Sequence, residues 1–247
     1  MSQPIVEAQD LEYAYPDGTP ALRGISFRIG HGESVGVVGG NGAGKSTLLW
    51  HLNACLLPSK GTVRIGETPV NRSTAAEIRR YVGSIFQDAD DQLFMPTVGE
   101  DVAFGPRNMR LPPDEVEARV RRALESVKAS HLIARPPHRL SGGEKRAAAI
   151  ASVLAMSPDI LAMDEPTSGL DPRGRRALIG ILKGFAHTKI IASHDLEMIL
   201  ELCPRTLLLH EGRLAADGET RAILSDAATL EACGLEVPLS IRLRSPA

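Results

Sequence analysis

At 247 residues the chain is one large domain or two small ones, and its 43% hydrophobic content is enough for a proper core. Only 4% of residues are aromatic and the formal net charge is −2, so neither base-stacking platforms nor a global basic field point to nucleic acid. Cys55, Cys203 and Cys233 are odd in number, widely spaced and lack a C-x-x-C, which argues against a disulfide framework or a zinc site and fits a reducing cytosol.

The opening MSQPIVEAQDLEY has neither the basic nor the apolar region of a signal peptide. No apolar run approaches the ~18 residues of a membrane span, so any role at a membrane is expected to run through a partner. Neither an internal repeat nor a low-complexity linker interrupts the chain.

Residues 4 to 34 alternate in short stretches with turns at 16–18 and 30–32, the pattern of an antiparallel sheet. Val35, Val37 and Val38 are β-branched and suit a buried strand. Leu48, Leu49, Leu52 and Leu56 recur at helical spacing. Between them, GGNGAGKST (39–47) reads as a strand-to-helix turn. Gly39, Gly44, Lys45 and Ser46 match G-x-x-x-x-G-K-[ST], the phosphate-binding loop. Glycine backbone angles let successive N–H groups converge into an anion nest. The following helix adds unpaired N–H groups and the positive end of its dipole. Gly39, Gly40, Asn41, Gly42, Ala43, Gly44, Lys45, Ser46 and Thr47 are therefore expected to cradle the phosphates of a nucleotide. Lys45 would reach the β- and γ-phosphates and Ser46 would hold Mg²⁺.

GTVRIG (61–66) adds a strand to the first sheet, residues 74–80 suit a short helix, and 81–86 a strand. PPDEVEARVRRALESVKASHL (112–132) opens on proline and acids and carries Val116, Val120, Leu124 and Val127, an amphipathic helix. Arg119, Arg121, Arg122, Arg135 and Arg139 flank this region and read as a solvated face. LSGGEKR (140–146) places Ser141, Gly142 and Gly143 before a helix rich in small residues. They can offer N–H donors and a hydroxyl to phosphate, or Ser141 can form a capping box with Glu144; both readings fit. DILAMDE (159–165) and KIIASHD (189–195) read as buried strands ending in polar residues, where parallel sheets bind ligands. Asp164 suits Mg²⁺ through water and Glu165 suits orienting or deprotonating a water, although an N-cap pair would look similar.

LSGGE resembles the signature motif of the ABC ATPase family, and the family's other elements follow in order. Tyr15 resembles the A-loop aromatic that stacks on adenine, Gln87 in IFQD the Q-loop glutamine, Asp171 in SGLD the D-loop aspartate, and His194 in ASHD the switch histidine. The resemblance implies an α/β fold with a RecA-like core, an N-terminal antiparallel β-subdomain and an α-helical signature subdomain. On the sequence, the β-subdomain falls at 1–34 and 61–72, the core at 35–60, 73–88 and 157–215, the helical part at 89–156, and a tail at 216–247. It implies a head-to-tail homodimer in which ATP held by one chain is closed over by Ser141, Gly142 and Gly143 of the other. It also implies that Gln87, Ser46 and Asp164 hold Mg²⁺, Glu165 handles water, His194 contacts the γ-phosphate and Asp171 couples the two sites.

FQDADDQLFMPTVGEDVAFGPRNM (86–109) is similar to the ATPases of energy-coupling-factor (ECF) importers, and YPDGTPAL and HDLEMILELCPRTLLLHEGRLAADG lean toward their cobalt or nickel branch. The implied partners are a transmembrane subunit and a substrate-binding subunit in the membrane, with this chain peripheral on the cytoplasmic face. Residues 87–106 would border the groove for the membrane subunit, with Asp90, Asp91, Gln92 and Phe94 at the interface. Departures from the pattern are Gly40 in place of proline, Met163 before Asp164, Ala147 and Ala148 after the signature, and a short segment after residue 215. The seven histidines are scattered without metal-ligand spacing, and Asp88, Asp90 and Asp91 lack the regular spacing of a calcium loop. An ECF ATPase for a vitamin carrier is the nearest alternative, and a soluble non-transport ABC ATPase the next.

Overall fold

A computed structural model describes residues 3–243. In chain order the strands are β1 (Val6–Ala14), β2 (Pro20–Ile29), β3 (Ser34–Val38), β4 (Lys60–Ile65), β5 (Thr68–Pro69), β6 (Val82–Ile85), β7 (Ile160–Asp164), β8 (Thr188–Ala192), β9 (Arg205–His210) and β10 (Arg213–Glu219). The helices are α1 (Lys45–Leu52), α2 (Ala75–Tyr81), α3 (Val98–Asn108), α4 (Pro113–Ser126), α5 (Gly142–Leu154), α6 (Pro172–Lys183), α7 (Leu196–Leu202), α8 (Thr220–Ser225), α9 (Ala227–Ala232) and α10 (Leu239–Arg242). The described residues divide into two compact units, residues 3–82, 160–165 and 186–243, and residues 83–159 and 166–185.

The first unit holds an antiparallel sheet in the order β2-β1-β4-β5 and a mainly parallel one running β10-β9-β3-β8-β7. β3 lies parallel between β8 and β9, with Val35 opposite Ile190 and Val37 opposite Ala192. A strand covered on both faces reads as a continuous apolar run, and Val35, Val37 and Val38 are fully buried. Leu48 and Leu52 of α1 join Leu11, Ile25, Ile29, Ile160, Ile190 and Leu207 in one apolar cluster. Each such side chain contributes about 1.5–3 kcal/mol of burial, which anchors the start of α1 beside the end of β3. Leu56, expected on this helix, lies past its end at Leu52.

In the second unit α4 buries Val116, Val120 and Leu124, the face its periodicity predicts. The helix stops at Ser126, short of 132, because Lys128 takes a left-handed φ of 59° and a single tight turn follows at Ser130–Leu132. α3 buries Val98, Val102 and Pro106 on one face, but glycines and Pro106, poor helix formers, interrupt its sequence. Those glycines serve contact: a Cβ on Gly105 would lie 2.5 Å from the Met156 side chain, and one on Gly99 would lie 2.9 Å from Ile133. The arginine face is largely as expected, with Arg121 and Glu117 exposed. Arg119 is the exception, its side chain only 20% exposed against Glu115. Among the described residues no helix is long and apolar enough to cross a membrane.

Candidate functional site

The loop between β3 and α1 is shaped by close approach. A Cβ on Gly39 would sit 2.3 Å from the Leu209 carbonyl oxygen, and one on Gly44 would sit 2.7 Å from that of Ala21. Gly44 also has φ 101°, so both positions require glycine. Asn41 and Gly42 are exposed at the loop's crest, and Gly40 is half-buried. No side chain caps α1, which leaves its first N–H groups and dipole end to an anion. Lys45 is buried and folds back over the loop, its Nζ donating to the carbonyls of Gly39 (2.9 Å) and Gly40 (3.1 Å). An ammonium parked on main-chain carbonyls can exchange them for phosphate oxygens.

Two carboxylates stand at the end of β7. Burial raises the Asp164 carboxyl above its ordinary value, and the charge of Glu165 adds to the shift; a hydrogen bond from Ser46 and the nearby Lys45 charge oppose it. Asp164 Oδ1 is buried without a hydrogen-bond partner. A divalent cation satisfies such an oxygen, and the oxygen donors of Ser46 and Asp164 suit hard Mg²⁺. Glu165 is 8% exposed and sits at φ 45°, a left-handed conformation that costs a non-glycine residue on the order of 1 kcal/mol. It is held there by its own N–H on Ala192 O (2.8 Å). Glu165 Oε2 accepts from Ser193 Oγ at 2.8 Å, and Oε1 accepts from the His194 N–H at 3.0 Å. His194 Nδ1 also lies 2.8 Å from Glu165 Oε2, while its side chain is 68% exposed. A carboxylate only accepts, so Nδ1 carries the proton and Nε2 is left to act on a ligand.

Tyr15 reaches the same unit's loop. Its hydroxyl pairs with Thr47 Oγ1 at 2.8 Å, and its ring meets Tyr13 edge-on at 5.3 Å. Tyr13 in turn stands edge-on to His51 at 4.8 Å, and His51 Nδ1 lies 2.7 Å from Thr47 O. Tyr13, His51 and Ser193 were not singled out by sequence reasoning. Ser193 has a usable signal as a small polar residue between a buried strand and His194; for the other two the signal is only proximity to Tyr15 and Thr47.

Gln87, Ser141, Gly142, Gly143 and Asp171 belong to the second unit. Ser141 caps α5 with the full capping box: Oγ accepts from Glu144 N, and Glu144 Oε2 accepts from Ser141 N at 2.8 Å. Ser141's N–H and hydroxyl hold the Glu144 carboxyl below the usual range. Asp171 caps α6 through Gly174 N at 2.6 Å. Gln87 is exposed, and its main-chain oxygen accepts from Arg146 Nη2 at 2.6 Å. Asp90, Asp91 and Phe94 are exposed too. Gln92, expected beside them, turns inward instead. Its amide donates to Ala149 O (2.8 Å) and Ser152 Oγ (3.1 Å), and its oxygen accepts from Phe86 N, so its polar atoms are taken up inside the unit.

The family profile described as ABC transporter matches residues 22–168. The chain belongs to the ABC transporter family. It is an ATPase with that family's fold, a mixed α/β structure with an antiparallel sheet and helical elements. A candidate ABC transporter ATP-binding protein of Geobacter sulfurreducens is 65% identical over 98% of this ABC ATPase and 97% of its own length. The energy-coupling factor transporter ATP-binding protein EcfA of Methanothermobacter thermautotrophicus is 49% identical over 95% of the chain and 77% of its own. Among solved structures, cbiO1 from Clostridium perfringens, described as part of the ABC transporter complex cbiONQ, is similar with a TM-score of 0.84. It shares 38% identity, and the match covers 98% of this chain and 99% of that one.

Proposed function

We propose that this chain is the ATP-hydrolysing subunit of an ECF-type importer for a transition-metal ion, cobalt or nickel, peripheral to the membrane on its cytoplasmic face. The observation that carries the hydrolytic part is the first unit's cluster: Glu165 bound to His194, next to Asp164 with one buried oxygen unpartnered. The likeness to the cbiO1 chain over nearly its whole length supports the transport part; the choice of ion rests on the resemblance of YPDGTPAL and HDLEMILELCPRTLLLHEGRLAADG to the cobalt or nickel branch.

The roles follow the chemistry of each group. The N–H groups of the loop and Lys45 hold the phosphates of ATP, and the Tyr15 ring takes the adenine face. Ser46, Gln87 and Asp164 would hold Mg²⁺, which when bound neutralises phosphate charge. Glu165 orients the attacking water and accepts its proton. His194 Nε2 is left for the γ-phosphate. Ser141, Gly142 and Gly143 serve the nucleotide of a second copy, with Asp171 coupling the two sites, so the working form is a homodimer. Transmembrane and substrate-binding subunits supply the passage. Asp90, Asp91 and Phe94 face the transmembrane subunit.

The test is uptake of radiolabelled Co²⁺ and Ni²⁺ by cells expressing the chain with its membrane partners, wild type against Glu165→Gln. Accumulation of one ion that collapses in the variant supports the reading and names the cargo. Uptake of both ions untouched, with the ATPase active, removes the metal and makes vitamins the next cargo to try. A chain that stays off membranes even with its integral partners co-expressed favours a soluble ATPase.

A further inference from the structure

Arg146 is a charge placed where charge is expensive. It lies on α5, is 4% exposed, and its Nε has no hydrogen-bond partner. Burial lowers its pKa, opposed only by the charge of Asp88. Its fork closes on two consecutive main-chain carbonyls, Nη1 on Phe86 O at 2.5 Å and Nη2 on Gln87 O at 2.6 Å. Hydrogen bonds from a charged donor are the strong class. Gln92 closes the same loop from the other side. It accepts the Phe86 N–H and donates to Ala149 O and Ser152 Oγ of α5. A third tie joins Lys145 Nζ to both oxygens of Asp90, at 2.6 and 2.8 Å. Both polar main-chain groups of Phe86 are thus held by side chains from α5 or anchored on it. No strand or helix covers residues 86–92; local bonds from Gln92 N to Ala89 O and from Asp90 N to Asp88 Oδ1 shape its turn, and these ties fasten it to α5.

We propose that Arg146, with Gln92, is a positioning clamp that fixes the Gln87 loop to helix α5, so that Gln87 and the Ser141 end of that helix move as one piece. The inference rests on the reading that Gln87 and Ser141 both serve nucleotide. Its consequence is directional: a push on the exposed Asp90–Phe94 segment reaches Ser141 through α5 rather than being lost in a soft loop. Planarity matters here. A planar guanidinium bridges two carbonyls in one fixed orientation, whereas an ammonium on its flexible stem can reach two carbonyls without fixing their orientation.

The experiment compares full-length wild type with Arg146→Lys, Arg146→Met, Gln92→Glu and Gln87→Ala. It follows ATPase kinetics, thermal midpoint and hydrogen–deuterium exchange by peptide. Gln92→Glu keeps the acceptor for Phe86 N–H and loses the donor to α5. The clamp predicts that Arg146→Lys stays folded, loses about tenfold in kcat with KM for ATP within about twofold, and exchanges faster in the peptides covering 86–92 and 141–146 together. Gln92→Glu should move the same two peptides with a smaller loss of kcat. Unchanged exchange over 86–92 in Arg146→Lys, or exchange that rises there alone, overturns the clamp. So does a loss that lies in KM. If Arg146→Met fails to fold, the lysine and Gln92 variants still decide. A Gln87→Ala variant with full turnover overturns both the clamp and the reading beneath it. A slow Gln87→Ala beside a fully active Arg146→Lys overturns the clamp alone.

Discussion

Glu165 grips His194 at two points, with Oε2 2.8 Å from the ring Nδ1 and Oε1 accepting the main-chain N–H at 3.0 Å. The main-chain contact fixes the backbone of the turn after β8, and the ring contact fixes the tautomer. With Ser193 on Oε2, the carboxylate is oriented before any ligand arrives. Glu165→Gln keeps the shape and the acceptor oxygen while removing the charge that takes a proton. We expect ATP binding near wild type, turnover lower by about a hundredfold or more, and an ATP-locked dimer on size exclusion. Wild-type turnover in this variant would end the role assigned to Glu165.

Gly142 tests whether something from outside this chain comes close. A Cβ built there meets only ordinary contacts, Gly169 O and Leu170 at 3.8 Å, and its φ is not left-handed. Within the chain, Gly142→Ala is therefore free of clash, and alanine in the first helical turn costs nothing. The thermal midpoint should hold or rise by a few degrees, while ATPase activity falls by about tenfold because the added methyl obstructs the approaching nucleotide. Activity that tracks wild type would remove the second copy's ATP from this surface.

Asp101 gives a pH signature. It is 3% exposed at the start of α3, with Oδ1 accepting from Phe94 N and Met95 N and Oδ2 unpartnered. Burial raises its pKa, the two N–H bonds opposing. The fold therefore holds this proton more tightly than the unfolded chain does. The destabilisation this brings is absent below the unfolded value of about pH 4, grows as pH rises, and is complete above the raised folded value. Relative to wild type, Asp101→Asn should gain stability as pH rises above about 4, read as a shift in urea midpoint. A midpoint difference that is flat in pH would assign the site no proton linkage.

The three thiols should separate by burial. Cys203 is 2% exposed and its thiol is pushed up to about 12, while burial also raises Cys233. Cys55 is exposed. Thiolate is the reactive form, so native protein at about pH 7.5 should take up one N-ethylmaleimide per chain, at Cys55, and three in denaturant. Rapid native labelling of Cys203 by peptide mapping would contradict its placement.

Much of this molecule is written in consecutive residues. The Gly39–Thr47 turn, the Ser141–Glu144 capping box, the α4 stripe and the buried ends of β7 and β8 are local patterns, because backbone freedom, capping and periodicity act over a few residues. The α3 helix escaped such reading because its glycines are there for Ile133 and Met156, contacts that lie far along the chain. Arg146 and Gln92 carry no local mark either: an arginine in a charged run and a glutamine beside aspartates look like surface. Only packing decided that one is buried on the carbonyls of Phe86 and Gln87 and the other turned inward to Ala149. The same holds for Glu165, Ser193 and His194, which meet because β7 and β8 run parallel in register and end together. Residue type and spacing set what each side chain can do; which partner it does it with depends on long-range burial, which strands and helices settle jointly.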